Sequence, residues 1–160
     1  MREFFDGILN MGDETRIDHG RWRNANGQDE TALLKYYSGE VALATIPRNR
    51  WGRLGLNPEK NEGQVTSSIV DLPRTHFAIV LNADGARGMR VELTDEHSQP
   101  ISLLSGDHAG RVDNDGGLDV LVKWPAGSVA SLGGRKSRLQ ISLKQDQNSS
   151  RLFVVSIRQA

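Results

Sequence analysis

Between Thr75 and Ile157 the chain repeats one pattern, an alternating apolar and polar run followed by a Gly, Asp or Asn turn. A period of two puts one face of a strand on a core and the other in water. Met89, Val91 and Leu93 oppose Arg90, Glu92 and Thr94, and Leu139, Ile141 and Leu143 oppose Arg138, Gln140, Ser142 and Lys144. The pattern predicts an all-β fold, a two-sheet antiparallel β-sandwich of jelly-roll-like type with extra N-terminal strands.

A chain of 160 residues is long enough to bury roughly two-thirds of the surface that its unfolded form exposes. It has no cysteine, which excludes disulfides, thiol catalysis and cysteine-bound metal sites and leaves the compartment open. Its 20 basic and 20 acidic residues are interspersed, so no long-range field gathers a phosphate backbone or an anionic membrane, and nucleic acid is not an expected partner. No apolar stretch approaches the roughly 20 residues that span a bilayer. Glu3 and Asp6 interrupt the N-terminus where a signal peptide needs an apolar run. The expectation is a soluble chain with no membrane partner and an unassigned localisation.

Residues 1–56 read differently from the rest and carry most of the aromatics, including both tyrosines. Strand candidates there are Phe4 to Leu9, Ala32 to Tyr37 and Val41 to Ile46, with a turn at Asn26-Gly27. Residues 57–63 (NPEKNEG) read as a linker. Residues 64–160 then hold seven strand candidates: Val65 to Val70, Phe77 to Asn82, Met89 to Thr94, Ile101 to Leu104, Leu118 to Trp124, Arg138 to Lys144 and Leu152 to Ile157. One short helical turn is expected, around Ser128 to Leu132.

Several segments carry a family likeness. Gly12-Asp13-Glu14, His19-Gly20-Arg21-Trp22-Arg23-Asn24 and the run from Val41 to Gly52 (VALATIPRNRWG) resemble the last blade of five-bladed β-propeller glycoside hydrolases. Leu81 to Gly85, Val91 to Glu96, Gly117 to Val120, Val122 to Pro125, and Arg138-Leu139 onward to Arg151-Leu152-Phe153 resemble the C-terminal β-sandwich that follows such propellers in proteins of the inulinase and invertase type. The resemblance implies that residues 1–56 are a remnant of a propeller blade and that carbohydrate and an upstream propeller are the partners. It places the hydrolytic carboxylates on blades before Met1, so no catalytic residue is assigned in the chain. Retaining hydrolysis needs two carboxyl groups about 5 Å apart on a scaffold that separates their pKa values.

The candidate ligand-binding residues are Asp13, Glu14, His19, Arg21, Trp22, Tyr37 and Trp51. Together they offer carboxylates, an imidazole, a bidentate donor and flat apolar plates, the groups that a sugar's hydroxyls and ring face require. In an extended segment Asp13 and Glu14 point to opposite faces and do not form an acid–base pair. The plainer alternatives are that Trp22 packs, Arg21 pairs with a neighbouring carboxylate and His19 caps a turn. Tyr36 adjoins Tyr37, so in a strand one of the two faces outward, while Trp124 ends an alternating run and is expected in the core.

Metal and triad signals are thin. Asp113-Asn114-Asp115-Gly116 opens like a calcium loop but lacks the later glutamate, so a hairpin turn is expected, with Asp84, Asp95 and Asp107 as weaker structural-calcium candidates. No cofactor is expected. His76, His97 and His108 lack metal-ligand spacing, and Ser105-Gly106 does not form a nucleophile elbow. The leading expectation is a non-catalytic carbohydrate-associated sandwich module that supports a propeller. The alternatives are a sugar-binding module with an aromatic platform and a small glycoside hydrolase acting alone. A homo-oligomer is the further partner class, because an interface left without its neighbour exposes apolar surface.

Overall fold

The computed structural model describes residues 7–23, 38–125, 129–144 and 150–159. The chain forms two compact units, residues 1–49 and 50–160. Among the described residues no helix is long and apolar enough to cross a membrane.

The first unit is a three-stranded antiparallel meander of β1 (Ile8–Met11), β2 (Glu14–Arg23) and β3 (Ser38–Pro47), in that order. Gly12 and Asp13 make the β1–β2 turn, and Gly12 has φ 58°. A positive φ at the first central position of a two-residue hairpin is tolerated best by glycine. Fully buried Thr15 organises that end of the sheet. Its Oγ1 donates to Asn10 Oδ1 at 2.6 Å and accepts the Asn49 amide at 2.8 Å. The expected strand Val41 to Ile46 lies inside β3, and that of Phe4 to Leu9 begins at Ile8 within the described residues. The expected strand Ala32 to Tyr37 and the Asn26-Gly27 turn lie outside them.

The second unit is the expected all-β sandwich. Its four-stranded sheet runs β10 (Gly116–Leu121), β7 (Phe77–Asp84), β12 (Arg151–Gln159), β4 (Leu54–Gly55). Its five-stranded sheet runs β5 (Glu62–Thr66), β11 (Lys136–Lys144), β8 (Arg90–Asp95), β9 (Gly110–Arg111), with β6 (Val70–Asp71) also pairing β11. One hydrophobic cluster joins them: Phe77, Ile79, Leu81 and Ala83 of β7 meet Val91 and Leu93 of β8 and Leu139, Ile141 and Leu143 of β11. The alternation that predicted β8 and β11 therefore faces inward as expected. Burying such a side chain stabilises the fold by about 1.5–3 kcal/mol.

The unit begins at Arg50, and β4 and β5 already occupy Leu54–Gly55 and Glu62–Thr66. Segments on both sides of the expected linker, and its last two residues, are therefore sheet-bonded to β12 and β11.

Three strand expectations need correction. Ile101 to Leu104 is not a strand but a 3-10 turn, Ser102–Leu104, followed by a second, Gly106–His108. Ile101 still donates its amide to Leu93 at 3.0 Å, but Leu104 then bonds back to Ile101 at 2.8 Å. Four apolar-rich residues without alternation give a ladder too little to outweigh that local bond.

The run Val65 to Val70 divides into β5 and β6, because Ser67 Oγ takes the Leu139 amide at 2.9 Å in place of a backbone acceptor. Beyond β10, Val122 donates to Ile79 of the four-stranded sheet while Lys123 exchanges bonds with Arg111 of the other, so this run passes from one sheet to the next. Trp124 packs partly buried against the core, and the expected helical turn is the 3-10 segment Val129–Leu132.

Candidate functional site

A strand rises about 3.3 Å per residue, so Glu14 and Trp22 lie about 26 Å apart along β2. The first unit therefore strings its sequence-predicted site residues out instead of gathering them. Asp13 sits at the tip of the β1–β2 turn, where its carbonyl accepts the Arg48 amide at 2.8 Å. Glu14 opens β2 and pairs with Arg16 at 3.4 Å, both side chains being about half exposed. His19 is exposed, opposite Ala42. Arg21 and Trp22 continue the ladder opposite Glu40 and Gly39, with side chains outside the described residues, as is the whole of Tyr36 and Tyr37. Trp51, in the second unit, is 56% exposed.

Four of the acidic calcium candidates are engaged elsewhere. Asp84 holds Arg50, Asp113 holds Lys123 at 2.8 Å, Asp115 holds Arg87 at 2.9 Å, and Asp95 accepts the amides of His97 and Gln99. Among the described residues no three His, Cys, Asp or Glu side chains stand where they could hold a metal ion. Ser105 is buried and donates its hydroxyl to the Leu93 carbonyl at 2.9 Å.

A concave site does form in the second unit, on the outer face of the five-stranded sheet. Ser142 of β11 pairs with Gln64 of β5 on one side and Arg90 of β8 on the other. A short side chain between two long ones sinks the floor of the sheet, since neighbouring strands are only about 4.8 Å apart. One step along, Lys144 pairs with Glu62. The result is a groove of about 360 Å³ lined by Glu62, Gln64, Arg90, Ser142 and Lys144, together with Gly63 and Leu143. That volume falls at the lower end of the roughly 300–1,000 Å³ of small-ligand sites.

The groove's polar side chains are of mixed character. Ser142 and Gln64 both donate and accept, Glu62 accepts, and Arg90 and Lys144 donate. Lys144 Nζ lies 3.2 Å from Glu62 Oε1 in a well-exposed pair that water screens. Arg90 is held by its own strand and the following loop: Nη2 donates to the Gly106 carbonyl at 2.6 Å and pairs with Glu92 Oε1 at 3.3 Å. The same Glu92 oxygen accepts the Gly106 amide at 2.7 Å, so the loop and Arg90 fix one another. Arg90 Nε is buried without a hydrogen-bond partner among the described residues.

Sequence reasoning missed this site. Its residues come from three distant segments, and each reads as an ordinary water-facing position of an alternating strand. The only local signal is the small Ser142 among long neighbours on its own face, and it gains meaning only once the register is known. Comparison with known protein families, with curated proteins and with solved structures returned no match.

Proposed function

We propose that the second unit is a non-catalytic, carbohydrate-associated sandwich module that binds a glycan in the groove over Ser142. The observation that carries this reading is the row Gln64–Ser142–Arg90 with the adjacent pair Glu62–Lys144. It presents donors and acceptors side by side on one rigid sheet. A sugar offers the complementary array, hydroxyls that each donate and accept, and a preorganised sheet face meets them with little ordering cost. The experiment is an affinity screen of the purified chain against β-fructans, xylan, arabinan and galactosides. Saturable binding that falls on Ser142→Trp, which fills the groove floor, supports the reading. Binding unchanged by that substitution moves the site to the exposed aromatics, the platform of which Trp51 is the described member.

A second reading concerns the first unit. Ile8, Leu9, Met11, Val41 and Leu43 are all exposed on its three-stranded sheet, and Val41 is 83% exposed. The register puts Leu9 and Met11 of β1 and Val41 and Leu43 of β3 on one face, with Arg16 and Asp18 of β2 between them and Ile8 on the other face, and exposed apolar residues on one face mark an interaction surface. They support the proposal that this sheet packs beside a further β domain, such as the propeller of a glycoside hydrolase, with the sandwich as its accessory module.

A further inference from the structure

We propose that two copies of the chain pair edge to edge through β12, about a two-fold axis at Ser156. β12 is bonded to β7 from Arg151 to Gln159, but on its other side β4 takes up only Arg151 and Leu152. Among the described residues, the far edge of β12 from Phe153 onward has no strand beside it. The ladder tells where its backbone groups point. The Ile79 carbonyl accepts the Val122 amide on the β10 side of β7. Ile79 therefore turns its groups away from β12, and its cross-strand partner Ile157 turns its own away from β7, toward the open edge. Val155, two residues back, does the same.

The other edges of the sandwich are blunted and this one is not. β10 opens on Gly116 and Gly117, contains a bulge and carries Asp119; β5 carries Glu62 and Gly63; β9 is two residues long. From Val154 to Ile157, β12 reads Val-Val-Ser-Ile, without the charges, prolines or glycines that keep edges apart, and its one irregularity lies at the β4 end, between Leu152 and Val154. Val155 and Ile157 also face the core yet are only partly buried, whereas Leu81 and Ile79, with which they pair, are fully buried. A further strand with apolar residues two positions apart completes that burial.

β12 is itself such a strand. Antiparallel pairing centred on Ser156 sets Val155 against the second copy's Ile157, and Ile157 against its Val155. All four residues point their groups outward, so the two pairs close four backbone hydrogen bonds. Arg158 falls opposite the second copy's Val154, so no like charges meet, and Arg158 is already paired with Asp119. One self-complementary patch used twice is the geometry of a closed dimer.

The test is sedimentation velocity in a Val41→Lys, Leu43→Lys background, which removes the first unit's sheet as a contact. A dimer is expected to remain there. Ser156→Lys and Ser156→Glu each set like charges across the axis and are expected to weaken the dimer about tenfold, whereas an equimolar mixture of the two restores it. Recovery in the mixture shows that both variants fold. Ile157→Pro removes an outward N–H without breaking the β7 ladder and is expected to give the same loss by a second route, its fold checked by circular dichroism. A monomer throughout the concentration series in that background, a dimer unaffected by Ser156→Lys and by Ile157→Pro, or a mixture as weak as either charged variant alone overturns the assignment.

Discussion

Arg50 clasps Asp84 through two parallel bonds, Nη1 to Oδ2 at 3.0 Å and Nη2 to Oδ1 at 2.8 Å. Its Nε donates to Asn82 Oδ1 at 2.9 Å, and its guanidinium carbon lies 4.1 Å from the centroid of the Phe153 ring. The first residue of the second unit is thereby fixed to the end of β7, where Asp84 pairs with both Gly116 and Arg151. Asn82 is only 5% exposed, so this corner of the sheet relies on Arg50 for part of its polar satisfaction. Arg50→Ala is expected to lower unfolding free energy by about 2 kcal/mol, and Arg50→Lys to recover less than half, since a lysine keeps the charge but not the fork. Urea denaturation checks both, and a lysine variant as stable as the parent would remove the fork argument.

Gly110 carries a packing demand. A Cβ there would meet Trp124 Cε2 at 2.8 Å and Cζ2 at 2.9 Å, and would also crowd Val122 Cγ1. Trp124 and Val122 both pack on the core, so neither has free space to yield. Gly110→Ala is expected to cost about 1–3 kcal/mol as an overpacking change. The loss is measured by thermal or urea unfolding, with tryptophan emission reporting the displaced ring.

Asp113 hydrogen-bonds Lys123 at 2.8 Å, and that bond together with its charge raises the lysine above its ordinary value of 10.5. A raised folded-state pKa means that the stabilisation is fully present below the unfolded value and is lost as pH climbs through the folded one. The loss is confined to alkaline solution, above about pH 10.5. An NMR titration of the Lys123 side chain is expected to show its midpoint falling back in Asp113→Asn. An unchanged midpoint would mean that the pair does not persist in solution.

Val41 and Leu43 project from the outer strand β3, 83% and 56% exposed. On its own the chain is expected to associate with rising concentration through this sheet, and Val41→Lys with Leu43→Lys to suppress it, because charge opposes burial of that face. Sedimentation velocity over a concentration series decides the matter. A parent that stays monomeric throughout would take away the support for a packed neighbour.

The sandwich was legible in the sequence because one physical rule, burial of alternate residues, writes itself locally: Leu139, Ile141 and Leu143 are apolar whatever pairs beside them. Ile101 to Leu104 was misread because its four residues carry hydrophobicity without a period, and the competing bond from Leu104 to Ile101 is invisible in composition. The groove was not legible for a different reason. Gln64, Arg90 and Ser142 become neighbours only through the registers of β5, β11 and β8, a long-range property that water-facing residues do not encode. The sequence-predicted cluster from Asp13 to Trp22 failed to converge for the converse reason: closeness in sequence becomes distance once β2 is extended.

The central claim, a glycan in the groove over Ser142, is tested most directly by two-dimensional NMR of the isotopically labelled chain titrated with the oligosaccharides that bind in the affinity screen. The account predicts saturable shifts concentrated on the amides of Gln64, Arg90, Ser142 and Lys144, absent in Ser142→Trp. Shifts confined to β2, to Trp51 or to no residue at all would contradict it.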